Sequence, residues 1–101
     1  MSTQTKEFPT ADVMSSVTGR LMGDIAGVYE VLGWMTDENL MTHQLPRVGR
    51  EARAVMLDFR PDVATAYEEA QQVNPDNWRD WLKVWTDRYG EKMAVPKMTA
   101  E

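Results

Sequence analysis

Asn74-Pro75-Asp76-Asn77-Trp78-Arg79-Asp80-Trp81-Leu82-Lys83-Val84-Trp85-Thr86-Asp87-Arg88-Tyr89-Gly90 is the stretch that decides the fold class. It opens with a capping Asn, a Pro suited to the first helical position and an acid beside them. Trp78, Trp81, Leu82, Trp85 and Tyr89 then fall within about 100° of arc at helical spacing, and Gly90 supplies a stop. An aromatic stripe of this kind is the packing surface of a small core, with a partner surface as the alternative, since Trp and Tyr also anchor interfaces.

Upstream, the same period repeats. Thr10 reads as a cap and Asp12 as a first-turn acid for a helix carrying Val13, Met14, Val17 and Leu21, ended by Gly19 or Gly23. Asp24 caps a second helix with Ile25, Val28, Tyr29, Leu32 and Met35 on one face and Trp34 off it. Thr36-Asp37-Glu38-Asn39 is turn chemistry. Pro46 starts a third helix, to about Phe59, whose stripe is Val48, Ala52, Val55, Met56 and Phe59. Pro61 starts a fourth with Val63, Ala66, Tyr67 and Ala70. Only Leu40–Leu45 and Met93–Val95 read as extended. The expectation is a mainly α, single small domain of four to five helices, spanning residues 9–96. A minimal two-stranded β patch would pair Leu40–His43 with Met93–Val95. Residues 1–8 read as a loose N-terminus and 97–101 as a tail.

Composition excludes several classes. The chain has 101 residues and no cysteine, so disulfides and thiolate chemistry are out. No apolar run approaches the ~18 residues of a membrane span, and the first residues do not read as a signal peptide. Sixteen acids against eleven bases give a net charge of −5, which argues against broad affinity for nucleic acid. His43 is the single histidine, so neither a zinc set nor an acid–base pair is complete. Ser15 or Ser16 with His43 lacks any nucleophile-elbow context. His43 reads instead as a hydrogen-bonding group at the start of the third helix. Glu68 and Glu69 read as a solvated face. No catalytic, cofactor-binding or metal-binding residue emerges, and the expectation is a non-enzyme with no cofactor.

What rises above background is a surface. Arg47, Arg50 and Arg53, with Arg60 nearby, lie within about 140° on the side of the third helix away from Val55 and Phe59. They read either as an ordinary face paired with Glu51 and Asp58 or as a docking site for an acidic partner or a phosphate backbone. Trp34, Leu57 and Val84 fall outside their helices' apolar arcs, and Trp34 joins the three arginines as a candidate partner-binding residue.

Phe8-Pro9-Thr10-Ala11-Asp12-Val13, Thr18-Gly19-Arg20-Leu21, Val28-Tyr29, Trp34-Met35-Thr36, Leu40-Met41-Thr42-His43-Gln44-Leu45-Pro46-Arg47, Asn77-Trp78, Trp81-Leu82 and Tyr89-Gly90 to Val95 together resemble a family of small phage and prophage proteins. The Thr-His-Gln-Leu-Pro-Arg string at 42–47 is the most specific part, and the resemblance implies Gly where this chain has Asp37. It carries no activity or site. It implies a phage accessory protein in the host cytoplasm that binds a host protein, for instance as an inhibitor of a nuclease or defence system. A nucleic-acid accessory role and a particle-assembly role stand as alternatives.

Overall fold

The computed structural model describes residues 4–22 and 24–98. The elements run β1 (Thr5–Pro9), α1 (Thr10–Thr18), α2 (Ile25–Thr36), α3 (Leu45–Phe59), α4 (Ala64–Glu69), α5 (Trp78–Tyr89) and β2 (Lys92–Pro96). Short 3-10 turns precede α3 and flank α4. The expected mainly helical single small domain with five helices is what forms. α1 lies at its centre, against α2, α3, α5 and both strands. Its Val13, Met14 and Val17 are buried, together with Leu32 and Met35 of α2, Ala52 and Met56 of α3, Ala66 of α4 and Trp85 of α5.

Centrality has a consequence for α1's polar residues. Thr10, Ser15 and Ser16 are buried, and each hydroxyl must find an acceptor. Ser15 and Ser16 donate to the Ala11 and Asp12 carbonyls at 2.7 Å, one turn back. Thr10 donates across the molecule to the Gly90 carbonyl at 2.5 Å. Ser15 Oγ also accepts the Met22 N–H at 2.7 Å, which pins the chain after α1 ends. Gly19 ends that helix, with φ 76° and ψ 7° in the left-handed region. Leu21 consequently leaves the stripe and is exposed.

The β patch exists, but its partner differs from the expected one. β2 pairs antiparallel with β1, Phe8 opposite Met93 and Lys6 opposite Val95. Residues 5–8, read as loose, are therefore strand; residues 1–3 lie outside the described chain. Leu40–His43 does not pair. Gln44 Oε1 accepts the Met41 N–H at 2.7 Å, and the Gln44 N–H donates to the Met41 carbonyl at 2.9 Å. This closed local bond set turns Thr42–Gln44 into a 3-10 turn.

The sheet's hydrogen bonding is bracketed by Lys97 N–H to Gln4 O and Thr10 N–H to Glu91 O. In an antiparallel ladder, that phase makes Thr5, Glu7 and Pro9 the non-bonded positions, opposite Pro96, Ala94 and Lys92. Both prolines thus stand where an N–H would point away from the partner strand; Pro9 is exposed and removes a donor from an open edge, whereas Pro96 is buried and leaves no N–H there to satisfy. The sequence placed a tail from residue 97, yet Met98 donates its N–H to the Met35 carbonyl at 2.8 Å and packs on the core. Residues 99–101 lie outside the described chain.

Helix ends match the sequence reading closely, with shifts of a turn or less. Asp24 caps α2 through the Ala26 N–H. The Asn74 side chain accepts from Asp76 and Asn77 as expected of a cap, but it closes a turn, and regular helix begins at Trp78. The aromatic stripe divides along α5. Trp85 and Tyr89 are buried, while Trp78 and Trp81 are half-buried at the edge of the core.

Candidate docking face on helix α3

α3 is amphipathic for a simple reason. Val48, Ala52 and Met56 recur at helical spacing and are buried, so the opposite side must face water. Arg47, Arg50 and Arg53 occupy that side, and all three are exposed. Among the described residues, none of the three has a carboxylate within ion-pair distance. Glu51 and Asp58 lie on the same helix and do not pair with them.

The other arginines are engaged. Arg60 bridges to Asp62 at 2.9 Å, so it does not extend the stripe. Arg88 makes a two-point contact to Glu69 at 2.9 and 3.2 Å. Arg79 stacks on Trp78 at 4.6 Å, and Arg20 Nε donates to the Ala70 carbonyl at 3.2 Å.

A helix C-terminus offers one ordinary reason for unpaired arginines. α1 ends at Thr18 without a basic residue in its last turn, and Arg50 and Arg53 line a cleft with Thr18 and Gly19. A helix end carries roughly half a negative charge. The arginines of α3 bring three full positive charges. The dipole therefore accounts for only a fraction of them, and the face keeps a positive surplus. Arg53 is steadied by the Tyr67 ring, 4.8 Å below its guanidinium. Burial holds the Tyr67 hydroxyl well above the usual tyrosine range, so that ring stays neutral.

Trp34 sits elsewhere. It lines an open groove of about 440 Å³ with Tyr29, Glu30, Asp37 and Glu38, which shares no lining residue with the clefts beside the arginines. Its ring meets the edge of Phe8 at 6.0 Å, and Lys97 Nζ lies 4.8 Å above it. Leu57 and Val84 are exposed, as their positions off the apolar arcs implied.

Other residues singled out in the sequence take different roles. His43 is exposed on the 3-10 turn, and Gln44, not His43, supplies the bond at that helix entry. Ser15 and Ser16 are buried and their hydroxyls are spent on helix carbonyls, so they do not meet His43 as a reactive pair. Glu69 is the residue that sequence reasoning missed. It was placed on a solvated face, yet its Oε1 accepts both Trp85 Nε1–H and Arg88 at 2.9 Å, tying α4 to α5. Nothing in local sequence signals this, because the partners lie 16 and 19 residues away. Among the described residues no group of acids and histidine is arranged to hold a metal ion, and no helix is long and apolar enough to cross a membrane.

Residues 8–66 match the family described as a domain of unknown function (DUF7736), and the chain belongs to that family. The matched span runs from the end of β1 into the first turn of α4 and includes Trp34 and the three arginines. No curated protein and no solved structure matches the chain.

Proposed function

We propose that this protein is a non-enzymatic binding protein that docks on an acidic surface of a host protein through Arg47, Arg50 and Arg53. The observation that supports the reading is the uncompensated charge of that face. In a chain of net charge −5, three exposed guanidiniums stand without a carboxylate partner among the described residues. Arginine's planar fork suits carboxylates, and a buried charge-assisted pair adds specificity as well as affinity. A phage or prophage setting follows from the Thr42–Arg47 resemblance. In that setting the partner is a host nuclease or other defence protein, inhibited in the host cytoplasm.

The test is affinity capture from host lysate with the parent protein and Arg47→Glu/Arg50→Glu side by side, followed by mass spectrometry. A partner retained by the parent and lost by the folded double variant supports the reading. Retention of the parent on a nucleic-acid column at ~0.15 M salt, lost steeply as salt rises, would replace it with a nucleic-acid role.

A further inference from the structure

Two clefts meet at Thr18 and Gly19. One, of about 140 Å³, lies between the end of α1 and the start of α3, walled by Val17, Leu45, Pro46 and Gly49. The other, of about 280 Å³, is walled by Arg20, Tyr67 and Gln71. Arg53 stands on the rim of both, and Arg50 on the first. Neither is lined by a carboxylate, in a chain with sixteen.

Their walls differ in chemistry. The first sets the aliphatic Val17, Leu45 and Pro46 beside Ser16, Thr18, Arg50 and Arg53, and its volume is close to the ~150 Å³ that accommodates a benzene-sized group. The second is the more polar, lined by Arg20, Arg53, Tyr67 and Gln71 with no aliphatic side chain larger than Ala70. The floor between them is open backbone, since nothing lies within 4 Å of where a Cβ on Gly19 would sit. Gly49 keeps the first cleft narrow: a Cβ there would stand 3.0 Å from the Ser16 carbonyl.

We propose that the two clefts form one bipartite subsite for an extended segment of the protein partner. The first cleft takes an apolar side chain, and the Arg20–Arg53 cleft takes the carboxylate of a neighbouring Asp or Glu. This rests on the α3 docking reading for the partner's being a protein. A nucleic-acid backbone fits less well. It needs a track of several phosphate contacts, whereas here Arg20, Arg50 and Arg53 gather around two adjoining clefts, one of them walled in part by aliphatic side chains.

The experiment is amide NMR of the full chain titrated with acetyl-Gly-Leu-Glu-Gly-amide and acetyl-Gly-Glu-Leu-Gly-amide. Controls carry Gln for Glu or Ser for Leu, and a ten-nucleotide single strand is titrated separately. One order of the Leu and Glu pair should give saturable shifts at Val17, Thr18, Gly19 and Gln71, with a Kd near ~1 mM, as suits so small a ligand. The Gln and Ser controls should each bind about tenfold more weakly or worse. Arg20→Gln and Gln71→Glu, both at exposed positions, should do the same while the rest of the spectrum is unchanged.

Absence of saturable shifts at these residues, equal binding of the Gln control, or tighter binding of the oligonucleotide there would overturn the proposal. Arg47 lines neither cleft. If Arg47→Glu still abolishes partner capture while the peptides do not bind, the docking face stands and the subsite alone falls. Peptide binding alongside capture indifferent to Arg47→Glu gives the converse.

Discussion

Asp37 shows how one residue's backbone explains a sequence oddity. The family resemblance implies glycine there. Asp37 holds φ 60° and ψ 33°, the left-handed geometry that ends α2, and the Glu38 N–H reaches back to the Gly33 carbonyl. That six-to-one bond is the Schellman pattern, which favours glycine at this position and tolerates short polar residues. Its exposed bridge to Lys97, 3.5 Å long, adds little. In chemical denaturation Asp37→Gly should hold or raise stability, and the β-branched Asp37→Val should cost about 1–2 kcal/mol. Glu69 carries a pH prediction. The hydrogen bond from Arg88 holds its carboxyl below the usual 4.5, helped by Trp85 and opposed by partial burial. A lowered folded value means the contribution is complete above the usual 4.5 and is lost as pH falls from there through the lowered folded value. The acid limb of a stability–pH curve should therefore flatten in Glu69→Gln. Asp12 acts in the opposite sense, raised by burial and by Glu30 and Asp24, so its ionisation weakens the fold as pH climbs past 3.8. Local sequence could suggest that residue 37 is a turn. It could not show Glu69, whose role depends on α4 meeting α5.

At the scale of elements, the five helices were legible because each carries its own apolar stripe, and stripes are local. The stripes of α3 and α4 predicted their buried residues well, with Phe59 the exposed exception. That of α2 is rotated toward Val31, leaving Ile25 exposed. Strand pairing was not legible. β2 showed its alternation at Met93 and Val95, but its partner lies at the other end of the chain, and Phe8 alone between Glu7 and Pro9 gives almost no periodic signal. The competing segment was closed by a Gln44 side-chain bond that no pattern announces. Two stability measurements test this level. Phe8 is buried opposite Met93, so Phe8→Ala should cost about 3–5 kcal/mol, where a loose N-terminus would lose almost nothing. Trp85→Ala should cost a similar amount, a large part of a small domain's stability, and Trp81→Ala clearly less, because only Trp85 is fully buried.

For the whole molecule, the deciding quantity is charge and where it goes unpaired. The overall field is negative, and the α3 face departs from it with three arginines that neither neighbouring acids nor the end of α1 offset. The stripe itself was legible at 100° per residue. Its lack of partners and the arrival of Arg20 and Tyr67 beside it were not, since those depend on how α1, α3 and α4 come together. Exposed charges contribute only ~0–1 kcal/mol each to folding, so reversing them should leave the melt unchanged while changing what the surface can bind. A buried interfacial pair is worth more, and breaking one costs about 2 kcal/mol or more. The direct test is calorimetric titration of the captured host protein with the parent and with Arg47→Glu/Arg50→Glu, beside thermal melts of both. The docking account predicts matching melts and a binding loss of about 2 kcal/mol or more in the double variant. A folded double variant that binds its partner as tightly as the parent would contradict it.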